Sequence, residues 1–330
     1  MLEGLEISEV MLSILAFEND TKRFDAEYFK KEYLIEDKPR TKYKNEYLGN
    51  ISFITDGQHG YHEVDESSKI RHLTAKNFKN WFANEDGAER LAQWVDDRNK
   101  RSSLENNDVI LTTRGTVGFC ALVKDNVLPA NIDQDVARIV LDEDSKILPH
   151  YLLSYVNSRF GQDWTKRNQT GMVQQGLALN RVREFPIPIL KTEFQNKVAE
   201  IIELSFKSFT QAKSAYTQSE ALLLKSLGLE NFSPSSKNTN IKSFKDSFAT
   251  TGRLDAEYYQ PKYEDYERLI KQNSKGFTRI IDEYDLVKET SKRNKDSYNY
   301  IEISDVNVGD GLLALIKLRL LICQTMPKMK

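Results

Sequence analysis

Apolar and small residues recur at Phe194, Val198, Ile202, Ser205, Phe209, Ala212, Tyr216, Ser219, Leu223 and Leu227. Spacings of three and four put them on one face of an α-helix. Upstream, Pro186-Ile-Pro188 removes backbone donors and fixes φ, so the helix starts after it. Thr192, with Gln195 three residues on, reads as a capping box, and Gly228 as the stop. A helix over 192–227, at ~1.5 Å per residue, is a rod of roughly 54 Å. One domain core cannot cover so long a stripe, so a second helix is expected along it, as in a coiled coil. A different pattern runs through Asp108-Val-Ile-Leu-Thr-Thr-Arg-Gly-Thr-Val-Gly118, where a β-rich apolar run enters a glycine-bounded turn. The apolar run 311–323 is well short of the ~20 residues of a spanning helix and carries Lys317 and Arg319, so no membrane segment is expected.

The chain repeats itself. Thr21-Lys-Arg-Phe-Asp-Ala-Glu-Tyr-Phe-Lys-Lys-Glu-Tyr33 returns as Thr251-Gly-Arg-Leu-Asp-Ala-Glu-Tyr-Tyr-Gln-Pro-Lys-Tyr263, at an offset of 230 residues and with seven of thirteen positions identical. The same offset aligns Leu73-Thr74 with Ile303-Ser304, and Asn77 with Asn307. The pattern predicts one whole unit and the opening of a second. The second counterpart of the 108–118 strand would fall beyond Lys330, so the second unit is expected to be incomplete. The expected fold is α/β in the α+β sense: a mostly-β mixed domain over 1–191, a long spacer helix over 192–228, a polar linker over 229–244, and a partial second domain over 245–330.

Composition changes little in this picture. The 330 residues are 39% hydrophobic and 29% charged with a net charge of −2, enough apolar material for a core and no overall basic excess. Two distant cysteines, Cys120 and Cys323, suggest neither a disulfide framework nor a thiolate zinc site, which fits the cytoplasm. Phosphate loops and dinucleotide fingerprints are absent from the sequence, as are the Asn/Asp-Pro-Pro-Tyr/Phe runs of amino-methyltransferases. His59 and His62 lack a visible third ligand, so no metal and no cofactor are expected. Asp133 or Asp135 with Asp144 and Lys146 is the best nuclease-like set, but Asp144-Ser-Lys146 reads as a solvated turn.

Features suited to nucleic acid are stronger. Between Arg159 and Arg183 five basic residues (Arg159, Lys166, Arg167, Arg181, Arg183) face one acid, Asp163. The stretch from Lys166 to Gly176 reads as a flexible loop carrying Asn168, Gln169, Gln174 and Gln175. Its cations suit phosphate, and its amides suit base edges. A second polar loop brings Gln58, His59 and Tyr61. Arg114 is either a phosphate contact or a structural ion-pair partner. Val198, Ile202, Phe209, Tyr216 and Leu223 are the expected association surface of the helix.

These motifs, in this order, resemble the specificity subunits of type I restriction–modification systems. The resemblance rests on Arg-x-Asp-Ala-Glu-Tyr-Tyr/Phe opening each unit, on the strand ending Arg114-Gly-Thr-Val-Gly118, on Leu179-Asn-Arg-Val-Arg-Glu-Phe-Pro-Ile-Pro-Ile189, and on Glu193-Phe-Gln195 leading into the helix. Phe194 splits the family's Glu-Gln pair. The resemblance implies a non-catalytic reader of double-stranded DNA with two recognition domains held apart by antiparallel helices, each reading half of a bipartite site. It implies modification (methyltransferase) subunits and a restriction (motor-nuclease) subunit as partners, which carry the catalysis. A recognition half that pairs with a second copy of itself is the alternative, and a stand-alone nuclease a remoter one.

Overall fold

The computed structural model describes residues 9–13, 15, 23–33, 42–171, 176–272 and 276–285. It divides into two units, Met1–Leu227 and Gly228–Lys330. Gln174, Gln175 and the apolar run after Gly311 lie outside the described residues, as do the repeat partners Ile303, Ser304 and Asn307.

Unit 1 is built on the run around Val109. Strand β1 is Asn45–Tyr47, β2 Ser52–Asp56, β3 Arg71–Leu73, β4 Glu89–Arg90, β5 Val109–Thr112, β6 Cys120–Leu122, β7 Ala130–Ile132, β8 Val136–Leu141 and β9 Pro186–Pro188. An antiparallel sheet has the order β2-β8-β5-β6, a mixed sheet the order β4-β3-β7, and β1 pairs with β9. Strand side chains alternate between faces, and here both faces are covered. Val109, Leu111, Cys120, Leu122, Ala137 and Ile139 feed one core, while Ile110, Ala121 and Val136 feed another with Leu73, Phe78 and Ile132. A near-continuous apolar run in β5 is therefore what this position requires, each fully buried Leu or Ile contributing about 1.5–3 kcal/mol.

Helix α1 is Gln93–Arg98, α2 Pro149–Asn157, α3 Arg159–Asn168, α4 Leu179–Arg183 and α5 Thr192–Ser226. Leu152, Leu153 and Val156 of α2 complete the first core. The long helix is present, but its start corrects the expected capping box. Lys191 is the N-cap, and no side-chain cap is made. Gln195 is instead buried: its Oε1 accepts from the Leu148 amide (2.8 Å), and its Nε2 donates to the carbonyls of Lys146 (2.9 Å) and Leu190 (3.0 Å). Further along, Ile202 joins the first core with Val198 packed against it. Glu203 accepts from His150 at 2.6 Å and from Lys124, and the Phe206 ring lies 4.9 Å from that of Phe82. Val198 and Ile202 thus belong to the domain's own packing, which corrects their assignment to an association surface. From Lys207 to Ser226 every residue is exposed, including Phe209, Tyr216 and Leu223.

In unit 2, α6 is Phe248–Thr251, α7 Pro261–Lys271 and α8 Ile280–Glu283. The polar segment before them runs along α7. Ser235 N donates to Asp265 (2.8 Å), Asn240 donates to Tyr259 O (2.8 Å) and Glu264 (2.7 Å), and the Phe232 and Tyr266 rings lie 5.6 Å apart. The repeated motif takes one geometry in both units. Arg23 grips Asp25 with two bonds of 2.7 Å and lies over Tyr28 at 5.0 Å. Arg253 grips Asp255 at 2.7 and 2.6 Å and lies over Tyr258 at 4.4 Å. Tyr28–Phe29 and Tyr258–Tyr259 are both edge-on pairs at 5.0 Å. In unit 1 the motif has a seat: Arg23 Nη1 donates to the carbonyls of Arg167 (2.7 Å) and Gln169 (3.0 Å), which closes the C-terminal end of α3.

Candidate nucleic-acid interface

Register places three sequence-distant loops at one end of the four-stranded sheet. Asp56 pairs with Ala137, and Thr112 with Val136, so β2 and β5 end where β8 begins. Backbone hydrogen bonds then stitch the loops together. Gly57 N donates to Asp133 O and Gln58 N to Ile132 O, both at 3.1 Å. Thr113 N (2.8 Å) and Arg114 N (3.1 Å) donate to Asp135 O, and Leu177 N donates to Thr113 O (2.8 Å). Thr170 and Gly176 exchange bonds of 2.9 and 2.8 Å, joining the third loop to the Arg114 turn through the Arg114–Gly176 bridge. Gly57 is required here, since a Cβ would stand 1.8 Å from Ile132 O. Gly115 turns the loop after β5 with φ +71°.

A charged chain braces this end from behind. Buried Arg138 donates to Asp108 (2.6 Å) and to Arg101 O (3.1 Å). Arg101 donates in turn to Thr55, to Asp56 (3.1 Å) and to Gly57 O (3.4 Å). Burial raises the Asp56 carboxyl, but hydrogen bonds from His59 and Arg101 outweigh it and hold the group below the usual range. At Asp133 burial outweighs the hydrogen bond from the Asp135 amide and the pull of His62 and Arg114, and pushes the carboxyl up to about 6.

The predicted contact residues separate into groups. Tyr61 is 87% exposed. His59, hydrogen-bonded to Asp56 at 2.8 Å, is also on the surface. Arg114 is exposed and 3.9 Å from Asp135, a loose pair that leaves its guanidinium half open. Lys166 is exposed and Gln169 half-buried. Lys166–Asn168 form the last turn of α3, which corrects the reading of them as flexible loop. Asn168 is buried, its amide donating to Trp164 O at 2.9 Å, so its assignment as a base reader is corrected. Arg167 donates to Tyr28 O (2.9 Å) and lies over that ring at 4.3 Å, holding the N-terminal motif. Gln58 closes its own loop by donating to Tyr61 O at 2.7 Å. Arg181 pairs with Glu184 on α4, and Arg183 donates to Ile54 O at 3.0 Å. Of these two cations, Arg183 braces α4 against β2, while the Arg181 pair is local to the end of the helix.

The nuclease-like set is not assembled. Asp133 and Asp135 precede β8 and Asp144 and Lys146 follow it, so the six-residue strand separates them by about 20 Å. A different cluster, not visible in the sequence, is present: His62, His72 and Glu89 bring one ligand atom each within 4.8 Å of one another. Of the His59/His62 pair only His62 takes part, and its two partners come from strands β3 and β4. Burial, with His62 beside it, pushes His72 down to about 4. Among the described residues, no helix is long and apolar enough to cross a membrane.

Residues 62–218 match the family model described as "Type I restriction modification DNA specificity domain". Over 117 residues the chain is 26% identical to the type I restriction enzyme EcoBI specificity subunit of Escherichia coli, covering 36% of this chain and 24% of that protein. Among solved structures, it is similar to a type I restriction–modification S subunit from M. genitalium (12% identity, TM-score 0.41, 56% of this chain and 44% of that one). The HsdS subunit from Thermoanaerobacter tengcongensis is another (13% identity, TM-score 0.37, 56% and 46%). The alignments thus span about a quarter of the curated relative and less than half of either solved chain.

Proposed function

We propose, from the match of residues 62–218 to the type I restriction modification DNA specificity domain, that unit 1 reads one half of a double-stranded DNA target through the loops at the end of its sheet. One observation carries this reading: the loops holding Tyr61, Arg114 and Gln169 are remote in sequence but hydrogen-bonded, directly or through Asp133 and Asp135, into a single surface. Arg114 and Lys166 supply charge for phosphate, while His59, Tyr61 and Gln169 supply groups for base edges and stacking. Rigid bracing by Arg101 and Arg138 favours a reader whose loops are set before DNA arrives.

Unit 2 opens with the same motif in the same geometry, which supports a second reader for the other half of a bipartite site. The exposed length of α5 after Phe206 supports assembly: the apolar groups Phe209, Tyr216 and Leu223 suit a helix of a modification subunit. Methylation and cleavage then belong to modification and restriction subunits, in the cytoplasm. The test is fluorescence anisotropy on duplex DNA over a salt series. Arg114→Ala and Lys166→Ala are expected to weaken binding on all sequences, each reducing the log–log salt slope by about 0.9. Tyr61→Ala is expected to weaken binding with little change in that slope. Unchanged affinity in all three variants would overturn the assignment of this surface.

A further inference from the structure

We propose that His62, His72 and Glu89 form a binding site for a divalent transition-metal ion of the zinc class. None of its three residues is among the proposed DNA contacts. His72 and Glu89 face each other directly in the antiparallel β3–β4 ladder, so their separation is fixed by backbone pairing. His62 enters from the loop before Val64, and that loop is itself held: Ala92 N donates to Glu63 O (3.1 Å) and Asp65 N to Arg90 O (2.9 Å). The two imidazole rings lie 4.1 Å apart, and His62 Nε2 is 3.0 Å from Glu89 Oε2.

The donor set defines the ion. Two imidazoles and one carboxylate suit zinc or its neighbours, whereas magnesium and calcium ask for a shell of oxygens. Metal–nitrogen bonds of about 2.0–2.1 Å need the ligand atoms closer together than 4.8 Å. Rotation of the exposed Glu89 side chain supplies part of that contraction without backbone movement. Burial supplies a reason for an ion here: His72 is 5% exposed, and its ring makes no hydrogen bond among the described residues. Three protein ligands leave a fourth position for water. An ion would also fasten the far end of the loop that begins at Gly57. Tyr61 stacks beside His62 with centroids 6.5 Å apart, so the ion would limit the directions that ring can take.

The experiment is calorimetric titration of metal-stripped full-length protein with zinc chloride, without DNA. A Cys323→Ser background removes the thiol as a competing ligand. The expected result is about one site per chain, weakened at least about tenfold by His62→Ala and by Glu89→Gln. His59→Ala should bind zinc as the parent does, and zinc should raise the thermal midpoint of the parent but not of His62→Ala. The proposal is overturned if the parent takes up no zinc, or if His62→Ala and Glu89→Gln bind it as tightly as the parent. Because DNA is absent, either failure leaves the DNA reading untouched, and a failure of DNA binding leaves the zinc result standing.

Discussion

Gly57 carries a larger share of the proposed DNA-reading surface than its size suggests. Its backbone approaches Ile132 so closely that a methyl group would overlap the carbonyl oxygen, and the two bonds joining loop 57–61 to residues 132–133 depend on that approach. Gly57→Ala is expected to cost about 1–3 kcal/mol in urea denaturation and to weaken DNA binding; wild-type values for both would show that the approach is not needed. Next to it, Asp133 titrates at about 6 when folded, above the usual carboxylate value of 3.8. Folding therefore takes up a proton between those values, so stability falls as pH rises from about 4 to about 6. Asp133→Asn keeps the acceptor for the Asp135 amide (3.0 Å). It should stabilise the protein at pH 7 by about 1–2 kcal/mol and leave it unchanged near pH 4. An equal effect at both pH values would mean that the charge is not the cause. At this scale the sequence was only partly legible. The type of Asn168, Gln58 and Gln195 suggests polar readers and caps, but whether an amide faces water or a buried carbonyl is decided by tertiary neighbours. The same holds for His72 and Glu89, which meet only because β3 and β4 pair.

Elements were more legible than residues, because periodicity reports burial directly. The β-rich run at 109–112 is a strand, and the 3.6-residue stripe after Pro188 is a helix within one residue of the expected end. The stripe does not say which part of the helix packs on its own domain. The structure divides it near Phe206: Gln195, Ile202 and Phe206 face the domain, and the residues beyond are exposed. The two parts should respond differently to the same substitution. Ile202→Asp places a charge in a dry core and should destabilise unit 1 by at least about 3 kcal/mol. Leu223→Asp should leave the melting curve unchanged but reduce co-elution with the modification subunit in size-exclusion chromatography. If Leu223→Asp assembles normally while the protein remains folded, the exposed stretch is not the assembly surface. Self-association of the parent, lost in Leu223→Asp, would instead identify a second copy as the occupant. The repeat shows the same limit of legibility: Arg-x-Asp-Ala-Glu-Tyr was visible as a motif, but only its folded form shows an arginine shared between a carboxylate, a ring and, in unit 1, the end of a helix.

At the scale of the whole chain, burial is uneven. Unit 1 holds the hydrophobic core clusters, whereas the described residues of unit 2 contribute no buried side chain to any of them. Local opening is cheapest where apolar contacts are fewest, and a protease cuts in proportion to that opening. The exposed half of α5 buries no side chain, and Lys213 makes only a loose, exposed ion pair with Asp86 (3.8 Å), so it should resist cleavage less than the segment anchored by Gln195 and Ile202. Limited digestion of the isolated chain with a nonspecific protease should therefore leave a fragment of unit 1 ending between Phe206 and Gly228. Peptides from 248–285 should appear first in mass spectrometry. That fragment retains the loops around Tyr61 and Arg114 and should keep its affinity for duplex DNA. Adding the modification subunit should move the boundary outward, because a helix laid along residues 207–226 would cover the cleavage sites. Protection of residues 248–285 equal to that of 45–190 in the isolated chain would show that the two units are comparably stable and would overturn this partition of stability.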